Sequence, residues 1–298
     1  MLDQVRSACA AIMAEARYVR VDEAAAVRYT ASLSEAPSPR WDERLYRGDD
    51  RSTVAFVLTM SAVNFGSGWF PLLGKAAGLS GYFTVATALT ARFRERGQFS
   101  ADELAVFTTE DTARLFGQDV EELMALYADA LCELGRHLLQ GYEGSFVRLV
   151  EAAGGRAARL VELLGELSFY EDEPFWKRAQ LTASELSLAL GGRGSGAFAD
   201  LDRLTAFGDN LVPHVLRLDG VLRYQPELVA RIEAGELLEP GGEEEVEIRA
   251  AAVHAVELIA AATNGRDTAA EVDHILWSRG QEPRYKAVPR HRCRTTAY

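Results

Sequence analysis

Apolar residues between positions 119 and 140 recur every three or four positions, and this spacing most constrains the fold. They are Val120, Leu123, Met124, Tyr127, Ala130, Leu131, Leu134 and Leu138. Residues three or four apart lie on one face of an α-helix, so the segment is predicted to be a helix with one buried face. Residues 54–65 are apolar on nearly every side, which predicts a buried helix more readily than a central strand.

Shorter periodic segments predict further helices. They lie near 3–17, 21–34, 81–94, 144–152, 156–165, 175–190, 226–235, 243–262 and 268–277. No segment alternates cleanly between polar and apolar residues, and the glycine-rich run 191–196 lacks the Lys-Ser/Thr of a phosphate-binding loop, which favours a turn. We therefore predict an all-α, single globular domain over residues 1–298, with peripheral N-terminal helices in 1–50 and a core from about 51 to 298.

Composition narrows the possible functions. The chain has 298 residues, of which 48% are hydrophobic and 26% charged, as in a globular protein. Its net charge of −12 repels a phosphate backbone, so we expect no binding to duplex nucleic acid. Three widely spaced cysteines and the lack of a signal peptide or an apolar membrane span predict a cytoplasmic protein. No residue pattern indicates a metal, a cofactor or an obligate protein partner.

Residues 204–224 place a carboxylate at a predicted helix entrance. Gly208-Asp-Asn210 interrupts an apolar run, and Pro213 suits the first turn of a helix. Asp209 is therefore either a helix cap, whose side chain accepts backbone N–H groups, or a partly buried functional acid. The local sequence favours the cap.

Two further segments pair charged and aromatic residues. Lys177 and Arg178 open a predicted helix, where the dipole disfavours cations, so they either extend into solvent or lie near an anion. Asp273 and Trp277 are four residues apart, which places both on one helix face. Such a pair suits a heterocyclic base, because the ring stacks while the acid accepts N–H groups.

Two more segments are weaker candidates. Phe65 and Trp69, with Asn64, form a possible aromatic platform, although such aromatics more often belong to a core. The last twenty residues are basic and contain a cluster that suits one phosphate group. Their aromatic and β-branched ending favours a docked segment over a solvated one.

Together these stretches resemble the queuosine salvage protein family. The matching stretches are Ala62-Val-Asn-Phe65 with Trp69, Gly81-Tyr-Phe83, Phe175-Trp-Lys-Arg-Ala-Gln180, Phe207-Gly-Asp209 with Pro213-His-Val-Leu216, Glu245-Val-Glu-Ile-Arg249, Asp273-His-Ile-Leu-Trp277, and His291-Arg-Cys-Arg294 with Tyr298. Family members hydrolyse queuosine 5′-phosphate to release the base queuine. They are similar in fold to helix-hairpin-helix DNA glycosylases, which carry an essential Asp at a helix entrance. The resemblance therefore favours a functional Asp209 over a plain cap.

The resemblance also implies roles for the other candidates. Asp209 would stabilise positive charge at C1′ of the ribose, and Lys177 would assist the carboxylate, the nucleophile or the leaving group. The residues expected to bind the base are Asp273, Trp277, Asn64, Phe65 and Trp69. The candidates for the 5′-phosphate are Arg178, His214, His291, Arg292 and Arg294, with Tyr298 adding a hydrogen bond.

Two alternatives remain open at this point. One is a non-catalytic protein that binds a nucleotide or a modified base. The other is a glycosylase that acts on polymeric nucleic acid. The charge of −12 suits a small nucleotide better than intact tRNA.

Overall fold

The computed structural model describes residues 1–34 and 36–298, and within these ranges it is mainly helical. The α-helices are α1 (Leu2–Glu15), α2 (Glu23–Leu33), α3 (Asp50–Ala62), α4 (Gly81–Arg96), α5 (Ala101–Leu104), α6 (Thr109–Phe116), α7 (Glu121–Gly141), α8 (Phe146–Glu151), α9 (Ala157–Leu164), α10 (Lys177–Leu190), α11 (Val212–Leu218), α12 (Pro226–Glu233), α13 (Glu243–Ala262), α14 (Ala269–Arg279) and α15 (Pro283–Lys286). The strands are β1 (Val19–Val21), β2 (Leu222–Tyr224), β3 (Leu237–Leu238) and β4 (Arg292–Cys293). The predicted fold class is confirmed.

The chain divides into two compact units. The first comprises Met1–Pro39, Asp172–Lys177 and Asp202–Arg294. The second comprises Arg40–Glu171, Arg178–Leu201 and Thr295–Tyr298. The single-domain organisation and the likeness to helix-hairpin-helix glycosylases stay predictions. No helix in the described ranges is long and apolar enough to span a membrane.

Helix α13 is the centre of the first unit. Helices α1, α2, α11 and α14 and strand β1 pack against it. Residues 250–253 are Ala-Ala-Ala-Val and are completely buried, so small side chains let several neighbours approach the helix closely. Val5 of α1 and Ala26 of α2 belong to the same apolar core. The N-terminal helices therefore contribute buried surface to this unit.

Two short sheets join distant parts of the first unit. Strands β1 and β2 are antiparallel, with Val19 opposite Tyr224, and β3 runs parallel to β4. Next to β1, the buried carboxylate of Glu247 accepts the N–H groups of residues 17, 18 and 19 at 2.8, 2.7 and 3.0 Å. Helix α13 thus holds this segment through its main chain.

Helix α7 is the longest helix of the second unit and contacts α3, α5, α6 and α8. The face predicted from its spacing is buried, including Leu123, Tyr127 and Leu134. At Gly135 an added Cβ would lie 2.4 Å from the backbone nitrogen of Ala105, so the glycine permits the close approach of α5. Helix α3 is buried from residue 53 to residue 62, which confirms the predicted buried helix.

The observed helix ends agree with the predicted ones where capping residues adjacent in sequence mark them. Helix α13 has the predicted limits, and Thr268 and Glu271 form the predicted capping box before α14. Helix α10 begins at Lys177, two residues later than predicted. Trp176 has a φ of +51°, outside the right-handed helical region, and belongs to a turn instead.

Candidate active site

Asp209 lies immediately before α11, and its carboxylate binds the start of that helix. The Oδ1 atom accepts the N–H groups of Leu211 at 2.8 Å and Val212 at 3.0 Å. Both hydrogen bonds end on the same carboxylate oxygen. The cap interaction favoured by the local sequence is therefore present, and it fixes the orientation of a carboxylate that is only 8% exposed.

The two residues before Asp209 are held from both sides. Asp273 Oδ1 accepts the N–H of Phe207 at 2.8 Å, and Arg249 Nε donates to the carbonyl oxygen of Gly208 at 2.8 Å. The φ of Gly208 lies outside the left-handed region, and an added Cβ there would meet its neighbours at ordinary contact distances. The backbone freedom expected of this glycine is therefore not what shapes the turn. The hydrogen bonds from Arg249 and to Asp273 hold the turn in place.

Asp273 shares a buried region with Asp209 and Lys177. Burial raises the pKa of Asp273 well above its ordinary value, and the negative charge of Asp209 raises it further. The Phe207 N–H and the Lys177 ammonium act in the opposite direction on that pKa. A proton is therefore held more readily by Asp273 than by an ordinary aspartate. Neighbouring carboxyl groups in unlike environments are a common arrangement for acid and base chemistry.

Lys177 is the first residue of α10 and is buried. Its backbone N–H donates to Asp172 Oδ2 at 3.1 Å. With 6% exposure its side chain does not extend into solvent, so that alternative is wrong for Lys177. Trp277 is half-buried on α14, the helix that carries Asp273, and it packs against the core of the first unit.

His214 and His291 carry little positive charge at neutral pH. Burial, opposed by the hydrogen bond to the Tyr285 carbonyl, lowers the pKa of His214 to about 4. Burial, followed by the charges of Arg249 and Arg290, lowers the pKa of His291 to about 3. His214 Nε2 lies 2.9 Å from the Tyr285 carbonyl oxygen, and a carbonyl only accepts, so Nε2 is the donor. The other ring nitrogen of the neutral form is an acceptor, which cannot hydrogen-bond a phosphate dianion.

Three arginines lie near His291 in the sequence of the basic segment. Arg292 lies half-buried on β4, and Arg294 is exposed. Arg290 was not among the predicted site residues, yet its Nε is buried with no hydrogen-bond partner in the described chain. Burial and the charge of Arg292 lower its pKa, whereas the charge of Asp209 raises it. Its position in the basic run was a signal, but nothing local distinguished it from its neighbours.

The remaining candidates lie in the second unit. Arg178 is buried, and its Nη1 donates to the carbonyl oxygens of Ser61 at 3.2 Å and Ala62 at 3.0 Å. A positive charge at the end of α3 complements the helix dipole. The guanidinium also lies over the ring of Phe65, 5.0 Å from its centroid. Arg178 therefore stabilises the end of α3, and its predicted contact with phosphate stays a prediction.

Residues 64–69 pack mainly as core in the same unit. Phe65 meets the ring of Tyr127 edge-on with centroids 5.0 Å apart, and Trp69 Nε1 donates to Glu122 Oε2 at 2.7 Å. Asn64 is half-buried. The carbonyl oxygen of Tyr298 accepts the N–H of Gly66 at 3.0 Å, which confirms the expected docking of the last residues. The predicted contacts of these residues with a substrate stay predictions.

The sequences of known proteins decide the family. A profile described as queuosine salvage protein matches residues 45–298. The chain belongs to the queuosine salvage protein family. In the described residues of this family member, no group of three or more His, Cys, Asp or Glu side chains could hold a metal ion.

Three relatives of this chain carry the name queuosine 5′-phosphate N-glycosylase/hydrolase. The protein from Sphaerobacter thermophilus is 34% identical over 304 residues, covering 96% of this chain and 94% of its own. The Mus musculus protein is 30% identical over 285 residues, covering 85% and 84%. The Dictyostelium discoideum protein is 34% identical over 212 residues, covering 67% and 66%. The similarity therefore extends over bacterial and eukaryotic relatives.

Proposed function

We propose that the protein is an N-glycosidase that hydrolyses queuosine 5′-phosphate to queuine and ribose 5-phosphate. The observation that carries the reaction type is Asp209, whose Oδ1 is fixed by two backbone N–H groups beside the buried Asp273 and Lys177. The names of relatives that this chain matches over most of their length support the choice of substrate.

Asp209 acts on the charge that develops at C1′. When the bond from C1′ to the base nitrogen breaks, its electron pair goes to the base and the ribose becomes positive. A carboxylate already oriented by the backbone stabilises that charge without reorganising. Since Oδ1 holds the helix, Oδ2 faces the sugar. Water then adds through its oxygen to C1′ and gives up a proton to the Asp209 carboxylate, which offsets the proton that the departing base takes up and completes the hydrolysis.

Asp273 and Lys177 serve the two other parts of the reaction. Queuine is a 7-deazapurine, so it has no N7 to protonate, and the departing base must be stabilised at its other edges. The raised pKa of Asp273 lets its carboxyl carry a proton that it shares with the base as negative charge arrives. Lys177 steadies the Asp209 carboxylate, and Trp277 packs on the base.

The 5′-phosphate is held by arginine in this proposal. Because the rings of His214 and His291 are neutral, we assign the phosphate to the arginines closest to them in the basic segment, Arg290, Arg292 and Arg294. A phosphate bound this way selects a nucleotide over its nucleoside. We also propose a cytoplasmic location, because all three cysteines are buried and suit a reducing compartment.

The test is release of queuine from queuosine 5′-phosphate, measured by mass spectrometry. We expect turnover by the natural protein and about a 10²–10³-fold lower kcat for Asp209→Asn, since that variant keeps an oxygen for the cap but loses the charge. The matched control is Asp209→Ala, which also loses the cap and about 1 kcal/mol of stability.

Three results would change the proposal. Absence of queuine under all conditions contradicts the enzyme and leaves a binding protein. Full turnover by Asp209→Asn reduces Asp209 to a cap. Cleavage of intact tRNA at a rate comparable to that of the nucleotide indicates a polymer substrate instead.

A further inference from the structure

A buried ion pair lies in the first unit, and the proposed reaction gives it no role. Arg249 Nη2 donates to both carboxylate oxygens of Asp172, at 2.8 and 2.7 Å, and both side chains are almost completely buried. The guanidinium lies over the ring of Phe175, 4.0 Å from its centroid. On the third side, Glu245 Oε1 is 3.4 Å from Nη1. The pair is thus fixed by charge, hydrogen bonds and packing.

On one side the pair organises the turn before α10. The carbonyl oxygen of Asp172 accepts the N–H groups of Phe175 at 2.7 Å and Trp176 at 2.8 Å. Its carboxylate accepts the N–H of Lys177. Trp176 holds a left-handed φ, which is unfavourable for a bulky residue and persists only where surrounding contacts enforce it. Asp172 therefore sets the backbone position from which Lys177 projects.

On the other side the pair holds the turn before α11. Arg249 Nε donates to the carbonyl oxygen of Gly208, one residue before Asp209. A guanidinium is planar, and its donors point in fixed directions. One rigid group thus joins the Asp172 carboxylate to the Gly208 carbonyl, and each acceptor is adjacent to a residue proposed for catalysis.

We propose that Asp172 and Arg249 form a positioning clamp that sets Lys177 relative to Asp209. This inference rests on the proposed function. Both are positioning residues, because they act through the two turns and not on the substrate. Misplacing reacting groups by about 1 Å can cost about 100-fold in rate, so loosening the clamp lowers kcat even when the substrate still binds.

The first test is Arg249→Lys, compared with Glu247→Gln as the matched control. Lysine keeps the charge but has one nitrogen and no planar fork, so it cannot serve both acceptors in the same geometry. We expect kcat to fall about 100-fold with KM changed by less than about threefold. Glu247 lies on the same helix and is equally buried, yet it holds residues 17–19, so its variant loses thermal stability and keeps kcat.

The second test does not depend on activity. Hydrogen exchange followed by mass spectrometry reports the amides of residues 172–177 and 207–212. We expect both segments to exchange faster in Arg249→Lys and in Asp172→Asn, and neither to change in Glu247→Gln. Asp172→Asn is the milder substitution, because it replaces the charged partner by an amide of the same shape. If Arg249→Lys does not fold, hydrogen exchange in Asp172→Asn tests the clamp.

The outcomes separate the two proposals. If the natural protein releases no queuine, the proposed function fails and hydrogen exchange alone decides on the clamp. If the natural protein turns over but Arg249→Lys has the kcat of Glu247→Gln, the clamp is wrong and the function stands. Unchanged exchange in either turn of the clamp variants likewise contradicts the clamp.

Discussion

The carboxyl group of Asp273 is buried close to the carboxylate of Asp209, so its contribution to the free energy of unfolding depends on pH. The raised pKa means that the folded protein keeps a proton that the unfolded chain releases above its ordinary pKa of 3.8. The stabilisation of the folded state by this bound proton is present in full below pH 3.8. It is lost as pH rises through the raised pKa of the folded state.

The variant Asp273→Asn tests this cost. Asparagine cannot ionise, but its oxygen can still accept the Phe207 N–H. We expect the variant to have a higher Tm than the natural protein at about pH 8, and this advantage to vanish as pH falls toward about 4. Thermal unfolding across that range measures it, with exposed Asp202→Asn as the control. An advantage that grows on acidification would contradict the assignment.

At the scale of elements, the end of α14 packs directly on the start of α11. Gly280 follows α14 with an ordinary helical φ of −58°, so its backbone tolerates a side chain. The neighbouring space does not, because an added Cβ would lie 2.6 Å from Leu211 Cγ. Leu211 provides one of the two N–H groups that orient Asp209. Packing between these helices and the geometry of the carboxylate are therefore linked.

The variant Gly280→Ala tests this link. We expect a loss of about 1–3 kcal/mol in the free energy of unfolding, as for other overpacked sites, together with a lower kcat. The control is Gly141→Ala at the end of α7, where no atom lies within 4 Å of an added Cβ and the left-handed region is not used. There we expect no loss, or a gain of up to about 1 kcal/mol. Urea unfolding and turnover measure both variants, and unaltered stability of Gly280→Ala would refute the link.

The sequence could predict those features whose contacts join residues close together along the chain. Helices α7 and α13 were predictable because periodicity and capping are local. Strands β1 and β3 span three and two residues, too few to show alternation. The late start of α10 depends on Asp172, whose partner Arg249 is 77 residues away.

The site divides in the same way. The cap at Asp209 could be predicted from its neighbours, because its partners are two and three residues away. His214 and His291 are neutral because elements that are remote in sequence bury them. The sequence therefore overestimated the positive charge of these two candidates for phosphate binding. The contact of Arg178 with the end of α3 could not be predicted locally, because it spans more than a hundred residues.

Across the whole molecule, buried neutral histidines predict sensitivity to acid. The pKa values of His214 and His291 fall on folding, from an ordinary 6.5 to about 4 and about 3. The stability they contribute is present above the ordinary pKa and is lost as pH falls through the lowered values. For His214 this amounts to about 3 kcal/mol, at 1.36 kcal/mol for each pKa unit.

The variant His214→Gln tests this sensitivity. Glutamine retains a donor for the Tyr285 carbonyl but takes up no proton. Between about pH 6 and 4.5, we expect the free energy of unfolding to fall less steeply than in the natural protein, by about 1.4 kcal/mol per pH unit. Half-buried His254→Gln on α13 is the control. Parallel curves for His214→Gln and the natural protein would show that His214 does not contribute.

The Glu247 carboxylate has a consequence for how the N-terminal segment can diverge. It binds residues 17, 18 and 19 only through N–H groups, which every amino acid except proline provides. This anchor therefore depends on the side chain at position 247, whereas Val19 is additionally constrained by its burial in the core. Homologous proteins can therefore differ at residues 17 and 18 while the segment keeps its place beside α13. A sequence alignment that begins after this segment would miss a part of the fold that main-chain hydrogen bonds hold in place.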